Sequence, residues 1–236
     1  MEKIELNANF DERASVHGAQ VEWQASPMKG VDRRMLERIG DEVARATTIV
    51  RYAPGSKFSS HVHTGGEEFL VLDGVFQDEH GNFPKGSYIR NPPQSEHTPG
   101  SDEGCTILVK LWQFEAADRT QIVIDTNKLD PQAVPGRDSV GVIPLFMDGR
   151  EDVRLEKWDA GATIGYSPEG GLEVFVIDGG FEEGGETFSG QSWLRLPVGT
   201  DLQAKASAEG CLCWVKEGHL SQLDREAFAT TTAEAS

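Results

Sequence analysis

Cysteine is scarce in this chain. There are three among 236 residues, Cys105, Cys211 and Cys213, an odd number with no CxxC spacing. Such usage fits a reduced, cytoplasmic compartment. Long apolar runs are missing too. None approaches membrane-spanning length, and the opening MEKIELNANF has no basic-then-apolar signal pattern. Positive charge is in deficit: 22 basic residues against 39 acidic ones give a net −17, which argues against a nucleic-acid or anionic-membrane surface. No Ser-His-Asp, Cys-His or paired-carboxylate arrangement offers itself for catalysis. Histidine is rare, six in all, and none lies between 98 and 218. The length still permits a sizeable core, as one large β domain or two of ordinary size.

What is present concentrates in residues 55–97, GSKFSSHVHTGGEEFLVLDG and, further on, GSYIRNPPQSEH. His61 and His63 are two apart, so on a β-strand both side chains leave one face while Val62 points away. After a Gly-Gly turn, EEFLVLDGVF reads as the next strand, running to a glycine bend. Alternation there sets Glu67, Phe69 and Val71 on one face, and Glu68, Leu70 and Leu72 on the other. Two imidazoles on one strand, a carboxylate opening its neighbour and a third imidazole, His97, from a later strand converge if the sheet curls. Three nitrogens and one carboxylate oxygen suit one divalent first-row transition metal (Zn, Fe, Mn or Ni).

The spacing Gly55-x5-His61-x-His63-x3-Glu67-x6-Gly74, followed by Gly86-x5-Pro92-x-Gln94-x2-His97, resembles the two motifs of the cupin superfamily. Gln94 stands where that family usually has Gly, and Ser101 where many members carry Asn. Within the superfamily, residues from about 20 to 115 are similar to the cupin domain of ChrR-type anti-sigma factors. The resemblance implies that His61, His63, Glu67 and His97 are metal ligands.

The second half repeats the first. EGCTILVK (103–110) returns as EGCLCWVK (209–216), and EFLVLDGVF (68–76) as EVFVIDGGF (173–181), at offsets of 106 and 105. IRNPP (89–93) returns as LRLPV (194–198), and RYAPG (51–55) as KWDAG (157–161). Four matches in one order at nearly one offset mean duplication. The expected fold is therefore all-β, two tandem cupin (jelly-roll) barrels, with residues 1–118 as the metal-binding domain and 119–236 as a degenerate second copy. The polar stretch 116–140 marks the boundary, with a strand at QIVI that could pair across to the other half. Through the offset, His61 maps to Tyr166, His63 to Pro168, Glu67 to Leu172 and His97 to Leu202. A one-residue shift would offer Glu173 instead, but without histidine the second copy should bind no metal this way. Leu172 and Leu202 would make its former site apolar.

Other expectations are local. Val21-Glu22-Trp23 reads as the first strand and SPMKGVDRR (26–34) as a loop. MLERIG and RATTIVRYAP then read as strand, turn and strand, and EGCTILVKLWQF (103–114) as the strand closing the first barrel. Glu68 faces outward as a salt-bridge or hydrogen-bonding group. His80 is a turn residue, and His17 and His219 receive no role. Arg90 and Arg195, which recur, suit an ion pair or packing, and Tyr88 a core aromatic. Cys105 and Cys211 fill small buried positions; a redox pair of Cys211 and Cys213 would have poor disulfide geometry. The last residues, TTTAEAS, should fray.

Two classes of function follow from the resemblance. In one, the metal chelates a small oxygenated organic molecule and activates O2 beside it, since similar stand-alone cupins include dioxygenases acting on β-diketones or hydroxylated aryl ketones. With zinc, hydrolysis or isomerisation would remain. In the other, a zinc-bound cupin takes part in a transcriptional response to reactive oxygen. About twenty residues precede the barrel and no cysteine precedes 105, so an anti-sigma domain, and with it a sigma-factor partner, is not expected. A barrel that only senses or stores a small ligand is a third option. Exposed β edges admit a homodimer.

Overall fold

A computed structural model of the chain describes residues 4–41 and 43–223. The fraying expected for 230–236 lies outside the described residues. Among those described there is no α-helix; strands are joined by turns and by short 3-10 segments such as Gly18–Gln20. The chain forms two compact units. The first takes residues 4–8 and 22–128 of those described, and the second 9–21 and 129–223. Both are antiparallel jelly rolls, and the chain is all-β as expected.

In the first unit the strands lie side by side in the order Ile4–Leu6, Val31–Gly40, Ala44–Tyr52, Cys105–Leu111, Glu67–Asp78, Ser87–Asn91 and Ile122–Asp125. In the second the order is Gln132–Val134, Arg137–Met147, Asp152–Trp158, Leu202–Glu217, Leu172–Glu183, Ser192–Leu196 and Ala14–His17. The two series correspond one to one in their five middle strands through the 105–106 residue offset. Their last members are exchanged: Ile122–Asp125 leads into the second copy yet pairs with Ser87–Asn91, while Ala14–His17 leads into the first yet pairs with Ser192–Leu196.

Each interior is apolar because alternate residues of the long strands face it. Phe69, Val71, Phe76, Ile89, Cys105, Ile107 and Val109 form the first core. Their counterparts Val174, Val176, Phe181, Leu194, Cys211, Cys213 and Val215 lie in the second. The three cysteines are buried and unpaired with one another, as small core residues. The alternation is interrupted at the same place in each copy. Leu72 is skipped in the pairing with Cys105–Leu111, and Ile177 in the equivalent pairing, so each long strand carries a bulge. The bend that follows needs glycine. A Cβ on Gly74 would lie 2.0 Å from the Gly104 carbonyl oxygen, and one on Gly179 2.2 Å from that of Gly210.

Three local expectations are corrected. Residues 21–23 are not a strand; the Val21 N–H closes the Gly18–Gln20 turn, and the first strands are Ile4–Leu6 and Ala14–His17. Ala14–His17 escaped notice because its partner, Ser192–Leu196, is so distant in sequence. The loop expected over 26–34 ends at Gly30, since Val31 to Arg34 pair with Tyr52 to Ile49. Their charges stay outside the ladder: Asp32 pairs with Arg51 at 2.7 Å, and Arg34 and Arg51 lie over the Trp23 ring. His17 ends a sheet strand, where its Nε2 lies 3.2 Å from Glu186 Oε2.

Candidate metal centre

His61–His63 and Ser95–His97 form a two-stranded antiparallel ribbon apart from the main sheet. Its register sets His61 opposite His97, and Ser95 opposite His63. Val62 points away and is exposed. The ribbon is tied to the next strand by a turn in which Gly66 N–H donates to the His63 carbonyl at 3.2 Å. That turn admits no side chain at its glycines: a Cβ on Gly65 would meet the Trp112 ring at 2.2 Å, and one on Gly66 the Phe114 ring at 2.6 Å. Glu67, the residue after the turn, is thereby delivered next to His63.

All four residues singled out from the sequence come together. His63 Nε2 and His97 Nε2 are 2.9 Å apart. Glu67 Oε2 is 3.4 Å from the first and 3.7 Å from the second. His61 completes the group: a ligand atom from each of the three histidines lies within 4.8 Å of the others. Their ring centroids are 4.7, 4.8 and 5.2 Å apart, with rings inclined by 69–74°. Around an ion with bonds of about 2.1 Å, neighbouring ligand atoms stand about 3.0 to 3.4 Å apart. The His63, His97 and Glu67 atoms, 2.9 to 3.7 Å apart, lie close to that range, and the His61 atom stands further out, within 4.8 Å of the other imidazoles.

The donor chemistry fits as well. His97 Nδ1 lies 3.3 Å from Asp78 Oδ2 and His61 Nδ1 3.3 Å from the Ser59 carbonyl oxygen. Both partners only accept when the carboxylate is ionised, so the two rings donate through Nδ1 and a neutral ring keeps a bare lone pair on Nε2. Two imidazole nitrogens facing each other at 2.9 Å need a proton or a cation between them. Burial is the largest influence on His63 and lowers its pKa; His97 and His61 act in the same sense, against Glu67. For His97, burial again opposes the charge, but Asp78 and Glu67 outweigh it and the pKa is raised. Glu67 and His97 are buried, and His61 is half-buried, so the centre is more open on the His61 side. Asn91 Nδ2 donates to Glu67 Oε2 at 3.3 Å from the adjoining strand.

Asn91 and Asp78 were not picked out from the sequence. Asp78 is eleven residues beyond Glu67, and strict alternation would place it on the opposite face. The bulge at Leu72 reverses the parity, so Phe76 and Asp78 turn inward with Glu67, Phe69 and Val71. Glu68, on the other face, is buried and accepts the Tyr88 hydroxyl at 2.7 Å. His80 is in the turn between Asp78 and Gly81, as expected.

The second unit shows what the same scaffold does without these ligands. Tyr166 pairs with Leu202 where the first unit pairs His61 with His97. Leu172 and Leu202 are buried in the apolar core, with Tyr166 packed against it. Glu173 is engaged on the other face, accepting Trp193 Nε1–H at 2.9 Å and facing His219 Nε2 at 2.7 Å. His219 thus has a buried partner that its sequence context did not suggest.

Two jelly rolls in tandem, one of them gathering three imidazoles and a carboxylate, make a cupin fold with a candidate metal site. Residues 11–115 of the chain match the family model described as the ChrR cupin-like domain. No curated protein matches it in sequence. Solved structures similar to it include a Nostoc punctiforme protein provisionally assigned as a dioxygenase, 16% identical, with a TM-score of 0.74 over 91% of this chain and 85% of that one. Another is the formate complex of Lactobacillus farciminis oxalate decarboxylase, 10% identical, with a TM-score of 0.61 over 87% and 86%. The oxalate decarboxylase of Bacillus subtilis, which has Mn(II) centres, is 11% identical with a TM-score of 0.58 over 87% and 77%. At such identities the likeness is one of fold.

Proposed function

We propose that His61, His63, Glu67 and His97 hold one divalent first-row transition metal ion, and that the centre acts on a small oxygenated organic molecule in a dioxygenase-like reaction. The observation that carries this reading is the spacing of His63 Nε2, His97 Nε2 and Glu67 Oε2, 2.9 to 3.7 Å from one another. A bound Fe(II) or other redox-active ion would supply Lewis acidity toward a chelating oxygen ligand and the redox chemistry that O2 requires. The chain's own residues set the conditions. Glu67, steadied by Asn91, supplies the negative charge that offsets part of the ion's. Phe76, its ring centroid 5.8 Å from that of His97, walls the centre toward the core and keeps water out. The half-buried His61 marks the side by which a small substrate reaches it. The dioxygenase-like neighbour and the decarboxylases support a small-molecule substrate class by fold analogy.

The ChrR cupin-like match favours a second reading, a zinc-bound cupin that senses reactive oxygen and regulates transcription. Metal analysis and oxygen uptake separate the two. Protein purified without chelators should carry about one metal ion per chain. After loading with Fe(II), oxygen consumption should rise with at least one member of a panel of β-diketones and hydroxyketones. A flat trace across the panel, with zinc as the resident ion, would favour the sensor.

A further inference from the structure

We propose that Asp78 is the positioning residue of the centre, fixing His97 in the tautomer that presents Nε2 to the metal. The inference rests on the reading of His97 as a ligand. Asp78 ends the strand that Glu67 begins, and its side chain is 6% exposed. Its two oxygens have separate tasks. Oδ1 accepts the His80 N–H at 2.7 Å, which closes the turn into the next strand. Oδ2 faces His97 Nδ1 at 3.3 Å, on the ring edge away from His63 and Glu67. A carboxylate there takes a proton only from Nδ1–H, so the lone pair remains on Nε2.

The neighbouring side chains strengthen the placement. Gln77 Oε1 accepts the Asp102 N–H at 2.7 Å, and Glu79 Oε2 accepts the Thr98 N–H at 2.8 Å. Three consecutive side chains at one strand end therefore grip the segment 97–102, and the middle one grips its imidazole. In the second unit the equivalent position is Glu183, which pairs with Arg13 at 2.7 Å and has no imidazole to orient.

Asp78→Asn keeps the volume and an oxygen for the His80 N–H but turns an amide N–H₂ toward the ring. That group can only donate, so it favours the tautomer with the proton on Nε2. Asp78→Ser keeps an oxygen for the turn and does not reach the ring; it serves if the asparagine variant folds poorly. Two readouts apply: the imidazole 15N shifts of His97 in metal-free protein, and titration with Zn(II) and Co(II). The wild type should show the Nδ1–H tautomer, Asp78→Asn should move His97 toward Nε2–H, and both variants should bind metal about 10- to 100-fold more weakly. A folded variant with unchanged His97 shifts and unchanged metal affinity would overturn the role of Asp78. A wild type that binds neither ion would instead overturn the metal reading, while the 15N shifts would still report on Asp78.

Discussion

The two units are the same construction with different contents. Both keep the order of their five middle strands, a skipped residue at the same point of the long strand, and the glycine packed against a facing carbonyl, Gly74 and Gly179. Both also bury the same chemistry on the sheet face turned away from the core: Glu68, Tyr88, Arg90 and Lys110 in one, Glu173, Trp193, Arg195 and Lys216 in the other. Arg90 lies over the Phe114 ring at 4.2 Å and Arg195 over Phe10 at 4.3 Å. The divergence is inside. Where the first unit gathers imidazoles and Glu67, the second packs leucines, and around Tyr166 it closes with ion pairs: Arg137 and Arg154 both bind Glu156, and Arg154 also binds Glu217. Folding of the jelly roll thus depends on features that both copies retain, and the candidate ligands lie outside that set. The candidate centre is an addition to this scaffold, and the second unit has apolar packing in its place.

The sharpest way to break that contrast is to make one substitution at one structural position in both units. His97→Ala should strip most of the metal from the first unit, because a centre with three of four ligands loses much of its affinity. Metal content per chain checks it, and Tyr166→Ala, at the equivalent of His61, should leave that content unchanged. Leu202→Ala, at the equivalent of His97, should leave metal content alone and cost about 2 to 5 kcal/mol in stability through the cavity it opens. Urea unfolding measures the second effect. Equal metal loss from Leu202→Ala and His97→Ala would contradict the assignment of one centre to one unit.

The contrast also shows what a linear sequence reveals. His61, His63 and Glu67 are legible because a short-range pattern carries them, two apart on a strand or just past a turn, whereas His97 is legible through the resemblance of residues 86–97 to the second cupin motif. The offset of the repeat found Leu172 and Leu202. Asp78 stayed hidden because one skipped residue, Leu72, inverts the alternation from which facing is read. The sheet strand Ala14–His17 stayed hidden because nothing local marks a strand whose partner, Ser192–Leu196, is so distant in sequence. Alternation sets Glu68 on the face opposite Glu67, but it does not reveal that this face is buried too, with the Tyr88 hydroxyl satisfying the carboxylate within the fold.

That shared face gives the next test. Tyr88→Phe and Trp193→Phe each remove a donor to a buried carboxylate, Glu68 and Glu173. Each should cost about 1.5 to 3 kcal/mol, the range for hydrogen bonds to charged groups, though the smaller ring at 193 adds a packing loss. Similar costs in the two units, by chemical denaturation, would support a common structural role; a loss in one unit alone would weaken it.

Acid should act more gently on the first unit. Arg90 pairs with Asp118 at 2.6 Å. Burial works against the Asp118 charge, but the Arg90 guanidinium and the Thr120 N–H outweigh it and hold the pKa below its ordinary value. A carboxylate depressed in the folded state contributes stability above its unfolded pKa, about 4, and loses it as pH falls through the folded value. Asp118→Asn should therefore be less stable than the wild type at neutral pH, with the gap closing in acid. A constant gap from pH 7 to pH 3 in urea unfolding would show that the charge contributes nothing.

The smallest effect belongs to a reciprocal exchange between the copies. Gln94 has φ +72° and its counterpart is Gly199 at +80°; Gln191 has φ +67° and its counterpart is Gly86 at +88°. Each unit thus places glutamine in a left-handed conformation where the other has glycine. At 86 glycine is required, since a Cβ would meet the Asn127 side chain at 2.7 Å, whereas a Cβ on Gly199 would have nothing within 4 Å. The left-handed backbone costs a residue with a side chain about 1 kcal/mol or more, partly offset by the entropy that glycine loses on folding. Gln94→Gly should therefore raise stability by about 0.5 to 1 kcal/mol. The gain at 94 should come without change in metal content, because Gln94 enters the ribbon through its main-chain N–H, 2.9 Å from the His63 carbonyl oxygen, which glycine retains.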